Sequence, residues 1–347
     1  MNPDMLSFDE AYEKLLGFVR PVREVEEVDT LFAAGRVLAV DQHSTIDQPP
    51  MDNSGMDGYA LRAVDVPVAG TRLPVSQRIP AGSVGHELAP GTAARIFTGA
   101  PLPPGADTVV MQELCEHAGD EVVVNTVPRL GEAVRRMGED IARGARVLPA
   151  GLRLTPQAVA LAASVGLARL PVHRRVRVAV FSTGSELVMP GEPLPPGGIY
   201  NSNRYLLRGL LAGLGCEVED FGIVPDRLDA TREVLRRAAE GHDLILTSGG
   251  VSVGEEDHVK PAVEAEGSLD MWKIAMKPGK PLAYGRVHGA AFIGLPGNPV
   301  SSFVTFLLMV RPFLLATQGV SEVAPASMQL RADFDWPRPD RRREFLR

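Results

Sequence analysis

The sequence predicts a multidomain α/β protein built around a Rossmann-like parallel-sheet domain, and three observations lead there. Residues 175–320 alternate apolar, β-branched runs with amphipathic helical stretches, as in a parallel sheet covered on both faces. Residues 43–142 switch to short β-branched runs (VVMQ, EVVVNTV) separated by turns such as PAGS, APGT and PLPPGAD, the pattern of a small β-rich module. Helical pieces bracket that module, so 1–42 and 143–174 are expected to form one helical linker domain into which the β-rich domain 43–142 is inserted. The α/β domain is expected over 175–325. Residues 326–347 read as the start of a C-terminal β domain, incomplete because the sequence stops at RRREFLR without a turn or cap.

Taken in order, residues 7–20 predict an amphipathic helix with Ser7 and Glu10 as a capping box and Leu15, Leu16 and Val19 on one face. A second short helix is expected after Asp29, stopped by Gly35. Residues 155–166 predict a helix with Thr155 as N-cap, Pro156 at the first helical position and Gly166 as the stop. Beyond 175, VRVAVF, CEVEDFGIV, DLILT and AAFIGL read as strands. NRYLLRGLLAGLG and ATREVLRRAAEG read as helices, the second with Asp229 as N-cap and Gly241 after its end. FVTFLLMV at 303–310 is too short to span a bilayer and reads as a buried helix.

Bulk properties exclude several function classes. The chain has 347 residues, 36 basic and 43 acidic, for a net charge of −7 with no long basic run, which argues against nucleic acid as a partner. Its N-terminus is charged from residue 4 and lacks a signal peptide's apolar core, and no membrane association is expected. The two cysteines, Cys115 and Cys216, lie far apart without a CxxC, which fits a reducing cytosol and gives neither a disulfide framework nor a thiolate zinc site. A cytoplasmic location is the expectation. The seven histidines show no HxH or HExxH spacing, and neither GxSxG nor GxxxxGK[ST] occurs, which leaves a serine hydrolase or Walker-type kinase without support.

The chemistry is expected where the strands end, since open α/β sheets bind ligands beyond the carboxyl ends of their strands. After DLILT comes SGGVSVGEEDH, with Ser248, Gly249, Gly250 and Ser252 followed by acids ending at Asp257. Glycines let the backbone approach a phosphate, and a helix start points N–H groups at it. The adjoining acids would repel a bare phosphate, which makes sense if a divalent metal lies between them. A tight turn before an acidic helix start accounts for the loop equally well when it is read alone. Glu186 in STGSEL, Asp226 in PDR and Asp257 follow successive strands and would suit an octahedral Mg²⁺. PGNPVSS, with Asn298 and Ser301, follows the last strand.

Lys277 and Lys280 flank a Pro–Gly turn, with Lys273 shortly before, and such a pair suits phosphate, sulfate or an oxometallate. In the β-rich module, PPMDNSGMDGYALR gathers Asp52, Asn53 and Asp57, RIFTGAP presents Thr98, and MGEDI presents Asp140; turn chemistry explains each one singly.

Together NSGMDGYA, RIFTGAPLPPGADTVVMQE, GEDI, STGSEL, TSGGVSVGEEDHVK, MKPGKPLAYG and GLPGNPVSS stand in the order and spacing of the MoeA family, the molybdopterin molybdenumtransferases, which also includes the E domain of gephyrin. The resemblance runs from about residue 7 to 347. It implies a molybdopterin-binding fold for the α/β domain and an elongated homodimer with the active site across the subunit interface. The implied reaction inserts molybdate into adenylylated molybdopterin and releases AMP with Mg²⁺ as cofactor, with other Mo-cofactor biosynthesis proteins as further partners.

On this resemblance Glu186, Asp226 and Asp257 are expected to be the metal and pterin-nucleotide acids. Ser248, Gly249, Gly250, Ser252 and Asn298 line the substrate, and Lys273, Lys277, Lys280 and Ser301 anchor molybdate and phosphate. Asp57, Thr98 and Asp140 are catalytic residues reaching across from the other subunit. Members usually carry STGDEL, where this chain has Ser185, so weakened or re-routed metal contacts are expected. The alternatives are a molybdopterin adenylyltransferase, which shares only the α/β domain, and a non-catalytic scaffold on the same fold.

Overall fold

The computed structural model describes residues 5–250 and 258–346. The chain forms two compact units, one of Met1–Val40, Ala150–Pro156 and Arg169–Arg347, the other of Asp41–Pro149 and Gln157–Ala168.

The first unit is organised on a seven-stranded sheet. Across it the strands run Met5–Leu6, Gly267–Ile274, Pro281–Val287, Ala290–Leu295, Leu244–Ser248, Arg177–Thr183 and Glu217–Val224. The four strands expected from the sequence are neighbours and mutually parallel. The sheet as a whole is mixed, because Pro281–Val287 runs antiparallel to both of its neighbours. The lysine-bearing stretch thus forms a hairpin inside this sheet. Its first arm, GSLDMWKI, carries too few regularly alternating residues to read as a strand, and pairing on both sides supplies what local pattern did not.

Apolar runs without alternation arise because the central strands are buried on both faces. Val178, Val180, Leu244, Leu246 and Ile293 face one core with Leu207 and Leu211 of the helix Ser202–Gly213 and Ala11 and Leu15 of the helix Phe8–Gly17. Ala179, Phe181, Ile245 and Phe292 face the other, with Leu235 and Ala238 of the helix Leu228–Ala239 and Val259 and Val263 of the helix Val259–Glu266. Helix Phe8–Gly17 starts on the expected capping box of Ser7 and Glu10. The short helix after Asp29 is one 3₁₀ turn, Thr30–Phe32, in which the Asp29 carboxylate accepts from Leu31 N–H at 2.8 Å. Asp229 is not an N-cap: Arg227 holds that position without a side-chain bond, and Asp229 sits in the first turn, where a carboxylate favours the helix dipole.

Residues Pro299–Thr317 form one apolar helical run of 19 residues, long enough by length and composition to cross a membrane, but 56% of it is buried in the protein. Its middle, Phe306–Val310, widens to a π-turn in which Arg311 N–H donates to Phe306 C=O. Pro312 explains the widening, since a proline ring inside a regular helix strikes the carbonyl four residues earlier and offers no N–H.

An acid-labile clamp ties the start of the strand Arg177–Thr183 to its neighbour. Arg174 donates from both terminal nitrogens to Asp243, at 2.8 and 2.9 Å, and Arg177 N–H adds a third bond at 2.8 Å. Burial pushes the Asp243 carboxyl up, but the Arg174 guanidinium and the Arg177 N–H outweigh it and hold the group below the usual carboxylate range. A depressed folded pKa means that stabilisation is present above the unfolded value near ~4 and is lost as pH falls through the folded one. We therefore expect Asp243→Asn to lower stability by about 1–3 kcal/mol at pH 7 and to cost progressively less below about pH 4. Urea titrations across that range would show it; a penalty independent of pH would refute it.

The second unit carries a six-stranded sheet in the order Thr108–Met111, Gly58–Leu61, Ala93–Ile96, Thr71–Ile79, Glu121–Val124 and Cys115–Ala118. Two small cores flank it, one around Tyr59, Leu61 and Val122, the other around Ile79, Ile96 and Val109. The helix Pro156–Ser164 starts at the expected proline and belongs to this unit except for that residue. Both cysteines are free, with thiol pKa values pushed by burial to about 11 for Cys115 and about 12 for Cys216. Between Val320 and Arg343 there is no regular element among the described residues.

Candidate active site

In the first unit the carboxyl ends of the strands Arg177–Thr183, Leu244–Ser248 and Ala290–Leu295 surround a cavity of about 340 Å³. Thr183, Glu186, Ser248, Gly249 and Asn298 line it, so four of the expected site residues meet in one place. Glu186 is turned back over the bare Cα of Gly184, where a Cβ would stand 2.7 Å from its Oε2.

Beside it, Ser185 donates to Asp226 Oδ2 twice, from N–H at 2.7 Å and from Oγ at 2.9 Å. One oxygen of Asp226 is therefore held and the other carries no protein hydrogen bond among the described residues. Ser185 thus fixes the orientation of the next strand's acid.

Gly249 and Gly250 both adopt left-handed backbone, with φ of +90° and +66°. A Cβ on Gly249 would lie 2.9 Å from Thr183 O, and one on Gly250 would lie 2.4 Å from Val259 Cγ2 and 2.6 Å from Thr183 Oγ1. Glycine is required here twice over, by conformation and by space, and the loop presents bare backbone to the cavity. Ser248 is buried at the strand end. Ser252 and Asp257 lie outside the described residues.

Asn298 is a helix cap: its Oδ1 accepts from Val300 N–H and Ser301 N–H, both at 3.1 Å. Ser301 thus lies at the third residue of the helix Pro299–Thr305, and Asn298 supports the turn before it. Asn203 holds the same turn from the other side, its Nδ2 donating to Gly297 C=O at 2.8 Å. Asn201 caps the helix Ser202–Gly213 through Arg204 N–H at 3.2 Å. Both asparagines line the cavity, and neither stands out in the sequence, where NRYLLRGLLAGLG reads only as a helix. The signal available was a second Asn/Ser cluster ahead of a helix, matching the one in PGNPVSS.

None of the three lysines is among the residues lining that cavity. Lys273 and Lys280 are exposed near the ends of the hairpin arms. Lys277 opens on a second cavity, of about 580 Å³, with Pro278, Phe334, Trp336, Glu344 and Phe345. Its ammonium donates to Glu344 Oε1 at 2.9 Å and lies 3.6 Å from Asp340 Oδ2; the Glu344 bond foremost raises its pKa above the ordinary lysine value.

In the second unit Asp57 and Thr98 are brought together: Asp57 Oδ1 accepts from Thr98 N–H at 2.8 Å and from its Oγ1 at 2.7 Å. These bonds hold the Asp57 carboxyl below its usual range. Asp140 is ion-paired with Arg135, and Asp52 with Arg136. Among the described residues no three His, Cys, Asp or Glu side chains cluster at metal-binding distance, and the expected third acid, Asp257, is not among those residues.

A glycine-rich loop and carboxylates at the strand ends of an α/β sheet, in a chain that also carries a separate β-rich unit, define a two-unit α/β protein with its candidate site at the sheet rim. Residues 6–166 match the model of the MoeA N-terminal region (domain I and II), and residues 179–316 match that of a probable molybdopterin binding domain. The chain is 43% identical over 317 residues to the molybdopterin molybdenumtransferase of Haemophilus influenzae, covering 91% of this chain and 78% of the relative. It is 41% identical over 309 residues to that of a Nostoc species, covering 86% and 71%. A crystal structure of the molybdopterin biosynthesis MoeA protein of Pyrococcus horikoshii superposes with a TM-score of 0.79 at 32% identity, over 92% of this chain and 81% of that one. The chain belongs to the molybdopterin molybdenumtransferase family.

Proposed function

We propose that this chain is a molybdopterin molybdenumtransferase of molybdenum cofactor biosynthesis that inserts molybdate into adenylylated molybdopterin and releases AMP. The observation that carries the reading is the rim of the sheet, where Glu186, Ser248, Gly249 and Asn298 share a cavity and Ser185 fixes Asp226 next to it. Bare backbone at Gly249 and Gly250 suits a phosphate, and the hydroxyl of Ser248 adds a donor. Lys277, Lys280 and Lys273, with Ser301, supply cationic and hydroxyl groups for the oxyanion. Positioning of phosphoanhydride and molybdate against one another is what these residues contribute.

Mg²⁺ fits the donor set. Glu186 and Asp226 are hard oxygen donors on adjoining loops, Asp226 keeps one oxygen free of protein donors, and Mg²⁺ takes one or two carboxylates with waters and ligand phosphates. Bound there with Asp257, it would supply Lewis-acid charge to the phosphates. Asp57, Thr98 and Asp140 are assigned to catalysis from the partner subunit of a homodimer. The domain division given from the sequence, cytoplasmic location and dealings with other Mo-cofactor biosynthesis proteins belong to the same reading.

The test is direct. Purified protein given adenylylated molybdopterin, Mg²⁺ and molybdate should release AMP and yield active Mo cofactor. Failure of both removes the assignment. Synthesis of adenylylated pterin from ATP would make it an adenylyltransferase instead.

A further inference from the structure

We propose that Glu344 is a positioning residue for the oxyanion site, holding the Lys277 ammonium in place through a carboxylate that is itself fixed by other donors. The inference rests on the reading of Lys277 as an anion anchor and goes beyond it, since it makes the segment around Glu344 a working part of the site.

Glu344 Oε1 accepts from Lys277 Nζ at 2.9 Å, while Oε2 accepts from Trp336 Nε1 at 2.7 Å and from Asp340 N–H at 3.1 Å. The Glu344 side chain is 12% exposed and that of Lys277 is 51% exposed, so the carboxylate is the fixed partner and the ammonium the free-ended one. The backbones are joined as well. Arg343–Glu344 pairs in parallel with Met276–Lys277, and Phe345 N–H donates to Lys277 C=O at 2.8 Å. From behind, Arg343 binds Asp9 with both terminal nitrogens, at 2.8 and 2.9 Å, and the Phe345 ring packs on Phe8 at 5.6 Å between centroids.

Two readings of a carboxylate on an anion-binding lysine compete. It could be a stand-in that substrate must displace, or a brace that directs the remaining ammonium N–H groups outward. A displaceable group would be loosely held. This one has two further donors and a strand behind it, so displacement would break three hydrogen bonds to make one. A lysine has three donors and a mobile four-carbon stem, and a brace removes rotamer freedom that anion binding would otherwise have to overcome. Asp340, 3.6 Å from Nζ, is itself bound by Arg342 at 3.0 and 2.6 Å, and its charge adds to the pull of Glu344 on the ammonium.

The experiment is a double-mutant cycle on the full chain, reading molybdate affinity by calorimetry and KM and kcat in the AMP-release assay. Lys277→Ala should weaken molybdate roughly 10- to 100-fold, the range for one charge-assisted hydrogen bond. Glu344→Ala should raise KM for molybdate about 10-fold with kcat changed less than twofold. Glu344→Gln, which keeps an acceptor for Nζ, should recover part of that loss. In the Lys277→Ala background, Glu344→Ala should add nothing. Melting temperatures within a few degrees of the parent show that the variants fold, and Trp336→Phe, which removes one donor to Glu344 without touching Lys277, gives a milder independent variant with a KM rise of about 2- to 5-fold. Tighter molybdate binding in Glu344→Ala, or equal losses in both backgrounds, overturns the proposal while leaving Lys277 as anchor. An inert Lys277→Ala overturns the anchor itself.

Discussion

Replacing Gly279 with valine will raise the KM for molybdate by roughly 30-fold or more while the sheet core stays folded. Gly279 sits at the tip of the turn between the arms Gly267–Ile274 and Pro281–Val287, with φ of +107°, a backbone region that side chains with a Cβ rarely occupy. A Cβ there would lie 2.4 Å from Thr305 Oγ1 and 3.1 Å from Met276 Cε. Thr305 is fully buried in the helical run Pro299–Thr317 and cannot retreat, so the turn must lift away from the helix. Lys277 and Lys280 are carried with it. Strain of this kind costs ~1–3 kcal/mol where it can relax, and here relaxation means loss of the oxyanion geometry. Molybdate titration calorimetry together with near-UV circular dichroism would separate the two effects. A folded variant with parental molybdate affinity would show that the lysine turn has no part in binding.

Asp226→Ala will lower kcat/KM for AMP release by about 100-fold or more, whereas Ser185→Ala will lower it only about 3- to 10-fold. Asp226 places one oxygen on two donors from Ser185, and the other carries no protein hydrogen bond among the described residues. Removing the carboxylate takes away both. Removing the hydroxyl leaves the backbone N–H of Ser185 in place at 2.7 Å, so the acid keeps most of its orientation. A loss of that size for an acid acting on the transition state, against a small one for its support, is the ordering expected of group and brace. Steady-state AMP release over a range of Mg²⁺ concentrations measures it, and the Ser185→Ala loss should shrink as Mg²⁺ rises. Equal losses in the two variants would reject the assignment of Asp226.

Local chemistry made a good part of this molecule readable in advance. The capping box at Ser7 and Glu10 needs only neighbours in sequence, and it was found where expected. The four apolar strands were visible because burial on both faces leaves uninterrupted apolar runs. Glycine positions in SGG were legible because positive φ and close approach both demand glycine. What stayed hidden depended on partners distant in the chain. Gly267–Ile274 becomes a strand by pairing with Pro281–Val287 and Met5–Leu6, and its own pattern says little. Spacing put Glu186 and Asp226 on one rim, but only the fold reveals that Ser185 holds Asp226 in place. Nor could spacing show that Lys277 faces Glu344, 67 residues away, rather than open solvent. The asparagines at 201 and 203 were missed for another reason: a helix start accounts for them in sequence, and only the fold shows both lining the cavity.

The strand Met5–Leu6 has a consequence for how the protein is made. It forms the outermost member of the seven-stranded sheet by pairing with Lys273 and Ile274. Those residues leave the ribosome some 270 residues after it, which at ~5–20 residues per second is roughly 13 to 54 seconds. All residues of the second unit have been synthesised by Ala168, long before the first unit can close its sheet. The amino-terminal segment must therefore wait, apolar face uncovered, while another unit folds downstream of it. A nascent chain halted near residue 200 should present a protease-resistant second unit and a sensitive N-terminal helix, and one extended past residue 300 should protect both.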